Sequence, residues 1–273
     1  MPLNNTEEEV KKSALKDHAK KLLLESGLLK TLKPIFNSIL NDFRKTYAAR
    51  GNFPNIAKHS NDIQQALFNH YDKVADNFST QLEERLGEPD NRAKIRNDTE
   101  ISARIHKAIQ VPQSSAYIDQ TNQRQMLEAR NDVILTAAAA GLFLTNKQIA
   151  NKAHALLAKK FANRLSLIAM DNTQNAAEQA KYAEYNAFIA NGAIAGGIDF
   201  GLAAEEGRAK NLWSAIMDGK TRIAHAEADG QTVNVGEPFI VGGEKLRFPR
   251  DTSLGASMSN VANCRCSSVP VIS

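Results

Sequence analysis

Cys264-Arg265-Cys266 concentrates the sequence's only two cysteines into three residues. In an extended backbone, residues i and i+2 point to one face, so the two sulfurs can share an ion. A disulfide across a single residue would be strained, and two cysteines at this spacing do not make a disulfide framework. Zinc takes tetrahedral sets of Cys and His. His225, the sole histidine in the C-terminal third, is the natural third ligand, with Asp218, Asp229, Asp251 or water as the fourth. The same residues also read as two small buried hydrophobes beside a hydrogen-bonding histidine, or as a redox pair. No nucleophile turn or Gly-rich oxyanion loop surrounds Cys264, which argues against a Cys264–His225–Asp thiol enzyme. Gly219-Lys220-Thr221 lacks the earlier glycine of a phosphate loop, since Ser214 stands there.

The elements that must carry these residues change character at Gly219. Beyond it, 232–235, 239–241 and 245–248 are short β-like runs, divided by turn signals at Asp229-Gly230, Gly242-Gly243 and Pro249-Arg250-Asp251. Residues 269–272 can add an edge. Before it, 205–217 reads as a last helix with Trp213 as a core anchor. Asp218 would end that helix and pair with Arg222 to place His225.

Everything upstream reads as helix. Thr6 and Glu9 form a capping box, and Val10, Ala14, Leu15, Ala19, Leu22 and Leu23 follow at helical spacing on a presumptive core face. Gly27 is read as a stop, followed by a helix over 29–47 and a break at Gly51 to Pro54. A third helix puts Ile63, Leu67, Tyr71, Val74 and Phe78 on one face. Helices are then expected over 91–110, 122–141, 149–161 and 163–190, with 111–115 a linker, a second capping box at Thr145 and Gln148, and a stop at Asn191-Gly192. The fold class is therefore α+β: an extended, mostly α-helical N-terminal region followed by a small C-terminal domain of helices packed on a short antiparallel sheet. The expected divisions are a helical region 1–140, a helical lead-in 141–210 and a C-terminal domain 211–273.

A hydrophobic content of 42% and a charged content of 23% are ordinary for a globular protein. Net charge is +4, too mild to indicate nucleic-acid binding by itself. The clearest basic helix carries Arg92, Lys94, Arg96, Arg104 and Lys107. These are candidates for contact with nucleic-acid phosphates, or a solvated face diluted by Asp90, Asp98 and Glu100. No apolar run approaches the roughly 20 residues that span a bilayer, and Val133 to Leu144 falls short. The acidic N-terminus lacks a secretion core, so synthesis in the cytoplasm is expected.

Taken together, Trp213, Asp218, Arg222, His225, Asp229-Gly230-Gln231, Pro238-Phe239, Pro249-Arg250-Asp251 and Asn263-Cys264-Arg265-Cys266 resemble, in order and combination, the phage Mu protein F-like family of minor head, or head morphogenesis, proteins. Leu144 to Ile149 and Arg164 to Ala169 resemble the family's helical lead-in, so the likeness covers about residues 140–270. It implies a non-enzymatic virion component of a tailed phage or prophage, held in the head interior near the portal. Its partners would be portal and capsid or scaffold proteins, and it would aid head assembly or DNA delivery. A DNA-binding protein ejected with the genome and a small metal or thiol enzyme are the competing readings. In some relatives a Cys-x-x-Cys pair stands where this sequence has Arg222 and His225, which implies zinc shared with the terminal Cys-x-Cys; here only His225 remains of that pair. Some relatives carry a toxin domain beyond the terminal cysteines. With seven residues after Cys266, none is expected here.

Overall fold

The computed structural model describes residues 7–272. Thr6, and with it the first capping box, lies outside them. The chain divides into two compact units, one of residues 25–70 and 108–169, the other of residues 1–24, 71–107 and 170–273. Helices α1 (Glu7–Arg50), α4 (Arg92–Ala139) and α5 (Asn146–Ala190) each contribute a segment to both, and α2 (Ala57–Phe78) does likewise.

The unit of 25–70 and 108–169 is all helical. Its α1 segment buries Leu28, Leu32, Phe36, Ile39, Phe43 and Tyr47, a spacing of three and four residues that keeps one stripe inward. Phe36 meets Phe161 of α5 edge-on at 5.2 Å, and Phe43 stacks with Tyr47 and Phe53. The expected stop at Gly27 is not there: α1 runs through both Gly27 and Pro34. A helical glycine costs only about 1 kcal/mol, and Leu24, Leu28 and Leu32, buried on either side, outweigh it. Likewise 111–115 is not a linker, because α4 continues through Pro112 with Val111, Ser115 and Ile118 buried. The capping box at α5 forms as expected: Gln148 N–H donates to Thr145 Oγ1 at 3.3 Å and Thr145 N–H to Gln148 Oε1 at 2.8 Å. The helix it opens is one element, not two.

In the other unit, the beginning of α1 turns an unexpected face inward. Leu15, Leu22 and Leu23 are 67%, 50% and 77% exposed, while Asp17, Lys21 and Leu24 are buried. The reason is a charge cluster. Glu178 of α5 accepts from Lys21 Nζ at 2.6 Å and Lys181 Nζ at 2.7 Å, and Lys181 also reaches Asp17 at 3.2 Å. Ser268 donates its N–H (2.8 Å) and hydroxyl (2.9 Å) to the same carboxylate. Two anions and two cations thus balance in the interior, with every member hydrogen-bonded.

Beyond α5, β1 (Ile194–Ala195) and β2 (Ile198–Asp199) form a hairpin over Gly196-Gly197, and α6 (Phe200–Glu205) follows, capped by Asp199. The helix expected over 205–217 is instead strand β3 (Ala209–Ser214). Ala209, Asn211 and Trp213 are buried and their neighbours half-exposed, the period-two pattern of a strand. Strand β3 is the middle of an antiparallel sheet ordered β4-β3-β7, with β4 at Thr232–Asn234 and β7 at Ser267–Ile272. Trp213 stands opposite Ser268. Tyr185 of α5 fixes the sheet from below, its hydroxyl 3.1 and 3.2 Å from the carbonyls of Lys210 and Val271. A second hairpin joins β5 (Phe239–Val241) to β6 (Glu244–Leu246). Gly242 and Gly243 supply its two positive φ angles, 58° and 80°, as a two-residue turn requires. This sheet-bearing part matches the expected α+β class.

Candidate metal centre

Two short helices and one turn bring the ligands together. Helix α7 (Ile223–Glu227) carries His225, and α8 (Met258–Val261) leads into the turn that carries the cysteines. Asn263 takes a left-handed φ of 55°, a conformation asparagine tolerates, and starts the segment toward β7. Cys264 and Cys266 both point inward while Arg265 points out to Asp218, at 2.6 and 2.7 Å.

His225 Nδ1 lies 3.5 Å from Cys264 Sγ and 3.4 Å from Cys266 Sγ. Its Nε2 sits 2.9 Å from both the carbonyl and the Oδ1 of Asn260. Nε2 is placed to donate its N–H to these oxygens, with Arg222 Nη1 also 3.3 Å away, and in that tautomer Nδ1 is free to ligate a metal. A metal-bound histidine is oriented in this way, by a carbonyl on its other nitrogen. With zinc bonds of about 2.3 Å to sulfur and 2.0 Å to nitrogen, a tetrahedral S···N edge is about 3.5 Å. All three ligand atoms lie within 4.8 Å of one another. The group can hold a metal ion.

The electrostatics agree. The hydrogen bond from Cys266, assisted by His225 and Arg250 against burial, holds the Cys264 thiol well below its ordinary value. Its hydrogen bond to Cys264 and burial together push the Cys266 thiol up. The Cys264 hydrogen bond raises His225, against burial. Of the two thiols, Cys264 is the one whose ionisation the surroundings favour. Trp213 Nε1–H is buried and makes no hydrogen bond of ordinary geometry, but it faces Cys266 closely enough to favour ionisation of that thiol. A donor placed in this way suits a site whose second sulfur becomes a thiolate on binding a cation. The indole also packs edge-on against His225 at 5.8 Å and Phe239 at 5.3 Å.

The three aspartates proposed as a fourth ligand are engaged elsewhere. Asp218 pairs with Arg265, Asp229 accepts the Ala215 N–H at 2.8 Å, and Asp251 holds Arg247 and the Ser253 N–H. Nor does Asp218 pair with Arg222. That guanidinium donates to the carbonyls of Asn260 (3.1 Å) and Ala262, pinning α8 to α7. A cavity of about 90 Å³ opens beside the ligands, lined by Ile216, Lys220, Thr221, Arg222, Asn263 and Arg265.

The remaining singled-out residues hold this module's frame. Gly230 (φ 78°) donates its N–H to Trp213 O at 2.9 Å, and Trp213 N–H donates to Gln231 O at 2.8 Å. Gln231 bonds both backbone groups of Ile240 in β5. Pro238 leads into fully buried Phe239, and Pro249 is buried beside Phe248. Three residues without a recognised sequence role prove as important. Arg250, held at φ 75°, donates to Cys264 O at 3.0 Å and pairs with Asp171 of α5. Asp171 also accepts the Asn263 N–H at 3.1 Å. Asn260 orients His225. Arg250 lay within the Pro249-Arg250-Asp251 turn signal without a role of its own, and nothing in the spacing marks Asp171 or Asn260.

The basic helix residues are separate from this centre. Arg92 pairs with Glu83 and Glu88, Arg96 with Glu83, Arg104 with Glu100, and Lys107 with Asp72. Lys94 is exposed.

No family model matches the chain, and no solved structure matches it. A stretch of 63 residues, 23% of the chain, is 38% identical to the NAD(+)--arginine ADP-ribosyltransferase EFV of Enterococcus faecalis. The match spans 12% of that protein's length. No helix of the described residues is long and apolar enough to cross a membrane.

Proposed function

We propose that this chain is a minor head protein of a tailed phage or prophage. It would be a non-enzymatic virion component near the portal that binds portal and capsid or scaffold proteins. Its C-terminal module would be stapled by zinc. The observation that supports this most is convergence. The residues that resemble the Mu protein F-like signature surround one Cys2His group, and their polar atoms bond to one another and to backbone. A signature absorbed into architecture in this way fits a structural module. Zinc supplies a cross-link there, with His225, Cys264 and Cys266 as ligands. The cavity beside them is lined by Lys220, Arg222 and Arg265 together with Ile216, Thr221 and Asn263.

The similarity to an ADP-ribosyltransferase covers too small a share of that protein to carry its activity here. It fits a module shared by larger proteins. The charge-balanced basic helix gives no support to the DNA-ejection reading.

Three experiments test the proposal. Virions produced by the strain that carries the gene should contain the protein by mass spectrometry, and disrupting the gene should lower the yield of filled heads. Normal filled heads that lack the protein would overturn the assignment. The purified protein should transfer no label from NAD+ to an arginine acceptor; transfer would make it an enzyme. Elemental analysis should find about one zinc per chain, lost in Cys264→Ser and His225→Ala. A folded, reduced protein without metal would return both cysteines to the core.

A further inference from the structure

The turn between α4 and α5 is unusual in what it exposes. Ala138, Ala139, Ala140 and Gly141 are exposed, Leu142 is 55% exposed and Phe143 100%. The turn is held from both sides. Leu142 N–H donates to Ala137 O at 2.9 Å, closing the C-terminus of α4 with Gly141 at φ 68°. In this kind of helix end the apolar residue after the glycine usually folds back onto the helix. Here Leu142 and Phe143 stay outward, and the Thr145–Gln148 box fixes the far side. The apolar pair is therefore presented on a defined turn.

The chain segments next to it carry cations, and the nearest acids along α1 and α4 are Asp42 and Asp132. No Asp or Glu occurs from Phe43 to Asn61, or from Val133 to Met170. Lys147 and Lys152 are exposed in the first turns of α5, and Arg44, Lys45 and Arg50 in the last turns of α1. The α1–α2 turn lies alongside, since a Cβ on Gly51 would come within 2.9 Å of Asn146 Nδ2. It adds Phe53, 39% exposed.

We propose that this apex docks on an anionic lipid surface, with Leu142 and Phe143 entering the acyl boundary and the cations resting on the headgroups. An apolar point flanked by exposed cations has the charge and polarity order of a bilayer interface. Duplex DNA would meet the cations but would have to unstack base steps to bury Phe143 and Leu142, a cost the acyl boundary does not impose. The proposal is independent of the metal centre and of the head-protein reading.

The test is co-sedimentation of the full-length protein with vesicles of phosphatidylglycerol and phosphatidylcholine, and with phosphatidylcholine alone. Retention on the anionic vesicles is expected, falling by about tenfold or more in Leu142→Ser/Phe143→Ser. A comparable loss is expected in Lys147→Glu/Lys152→Glu and with added salt. All four side chains are exposed, and a circular dichroism melt confirms that the variants fold. No retention by anionic vesicles, equal retention by neutral ones, or retention unchanged in the apolar variant would each overturn the proposal. Binding of labelled duplex DNA without vesicle retention would also overturn it and give these cations to nucleic acid.

Discussion

Replacing Glu178 by Met should unbalance the interior more than any other single change at the α1–α5–β7 junction. Glu178 is fully buried and holds Lys21, Lys181, Ser267 and Ser268. Burial pushes its carboxyl up, but Lys181 and Lys21 outweigh this and bring it from 4.5 down to about 2. That fall corresponds to roughly 3 kcal/mol of stability. Because the folded value is depressed, the contribution is present above about pH 4.5 and is lost as pH falls toward 2. Removing one partner of a buried pair costs about 3–5 kcal/mol. The lower end is expected, since Lys21, already lowered by burial, can shed its proton. The decisive variant is Lys21→Met/Glu178→Met, in which Lys181 keeps Asp17 and charge stays balanced. It should unfold at a higher urea concentration than Glu178→Met alone, read by circular dichroism at neutral pH. A Glu178→Met protein within about 1 kcal/mol of the parent, or a double variant no more stable than the single one, would refute this account of the cluster.

Other consequences follow from the same geometry. Asn260→Ala removes one of the two oxygens that orient His225, and zinc affinity measured by competition with a chromophoric chelator should fall about tenfold. Asp171→Ala frees both Arg250 and the Asn263 N–H, and should lower zinc affinity by a similar factor, about tenfold, although Asp171 is not a ligand. Glu184 accepts the N–H groups of Leu82 and Glu83, yet burial pushes its carboxyl up to about 7. Its folded value lies above the unfolded one, so it lowers stability as pH rises from about 4.5 to 7. Glu184→Gln should therefore gain on the parent by roughly 3 kcal/mol between about pH 4 and pH 8 in paired urea titrations. A difference that stays constant with pH would refute the assignment.

The three candidate ligands were legible as a group because they are rare residues at a telling spacing, and the β5–β6 hairpin because Gly242-Gly243 divides two short apolar runs; the β1–β2 hairpin was not read. The strand carrying Trp213 was not. Ala209 to Ser214 has too few apolar residues for its period to stand out, and its pairing with β7 lies over fifty residues away in sequence. The inward face of α1 was hidden for a different reason. Hydrophobic spacing selected Leu15, Leu22 and Leu23, but the partners across the interface are Glu178 and Lys181, so charges face in and leucines face out. Gly27 and Pro112 marked breaks by local propensity, and burial of the neighbouring residues in long helices overrode both.

The contacts that shape the metal centre are mostly not metal contacts. Asn260 sets the His225 ring, Arg250 holds the Cys264 carbonyl, Asp171 fixes both Arg250 and Asn263, and Glu178 anchors Ser268 two residues beyond Cys266. Arg250 and Asn263 adopt left-handed backbone angles, which cost energy and persist only where the surroundings determine them. Phe239, Val241 and Leu246 add a buried apolar cluster around Trp213. A small zinc finger lacks such support and unfolds without its ion. Here an apolar core and a hydrogen-bonded frame hold the ligands within about the spacing zinc needs, so the ion would rigidify a module already folded. That division of labour is consistent with the structural role proposed above.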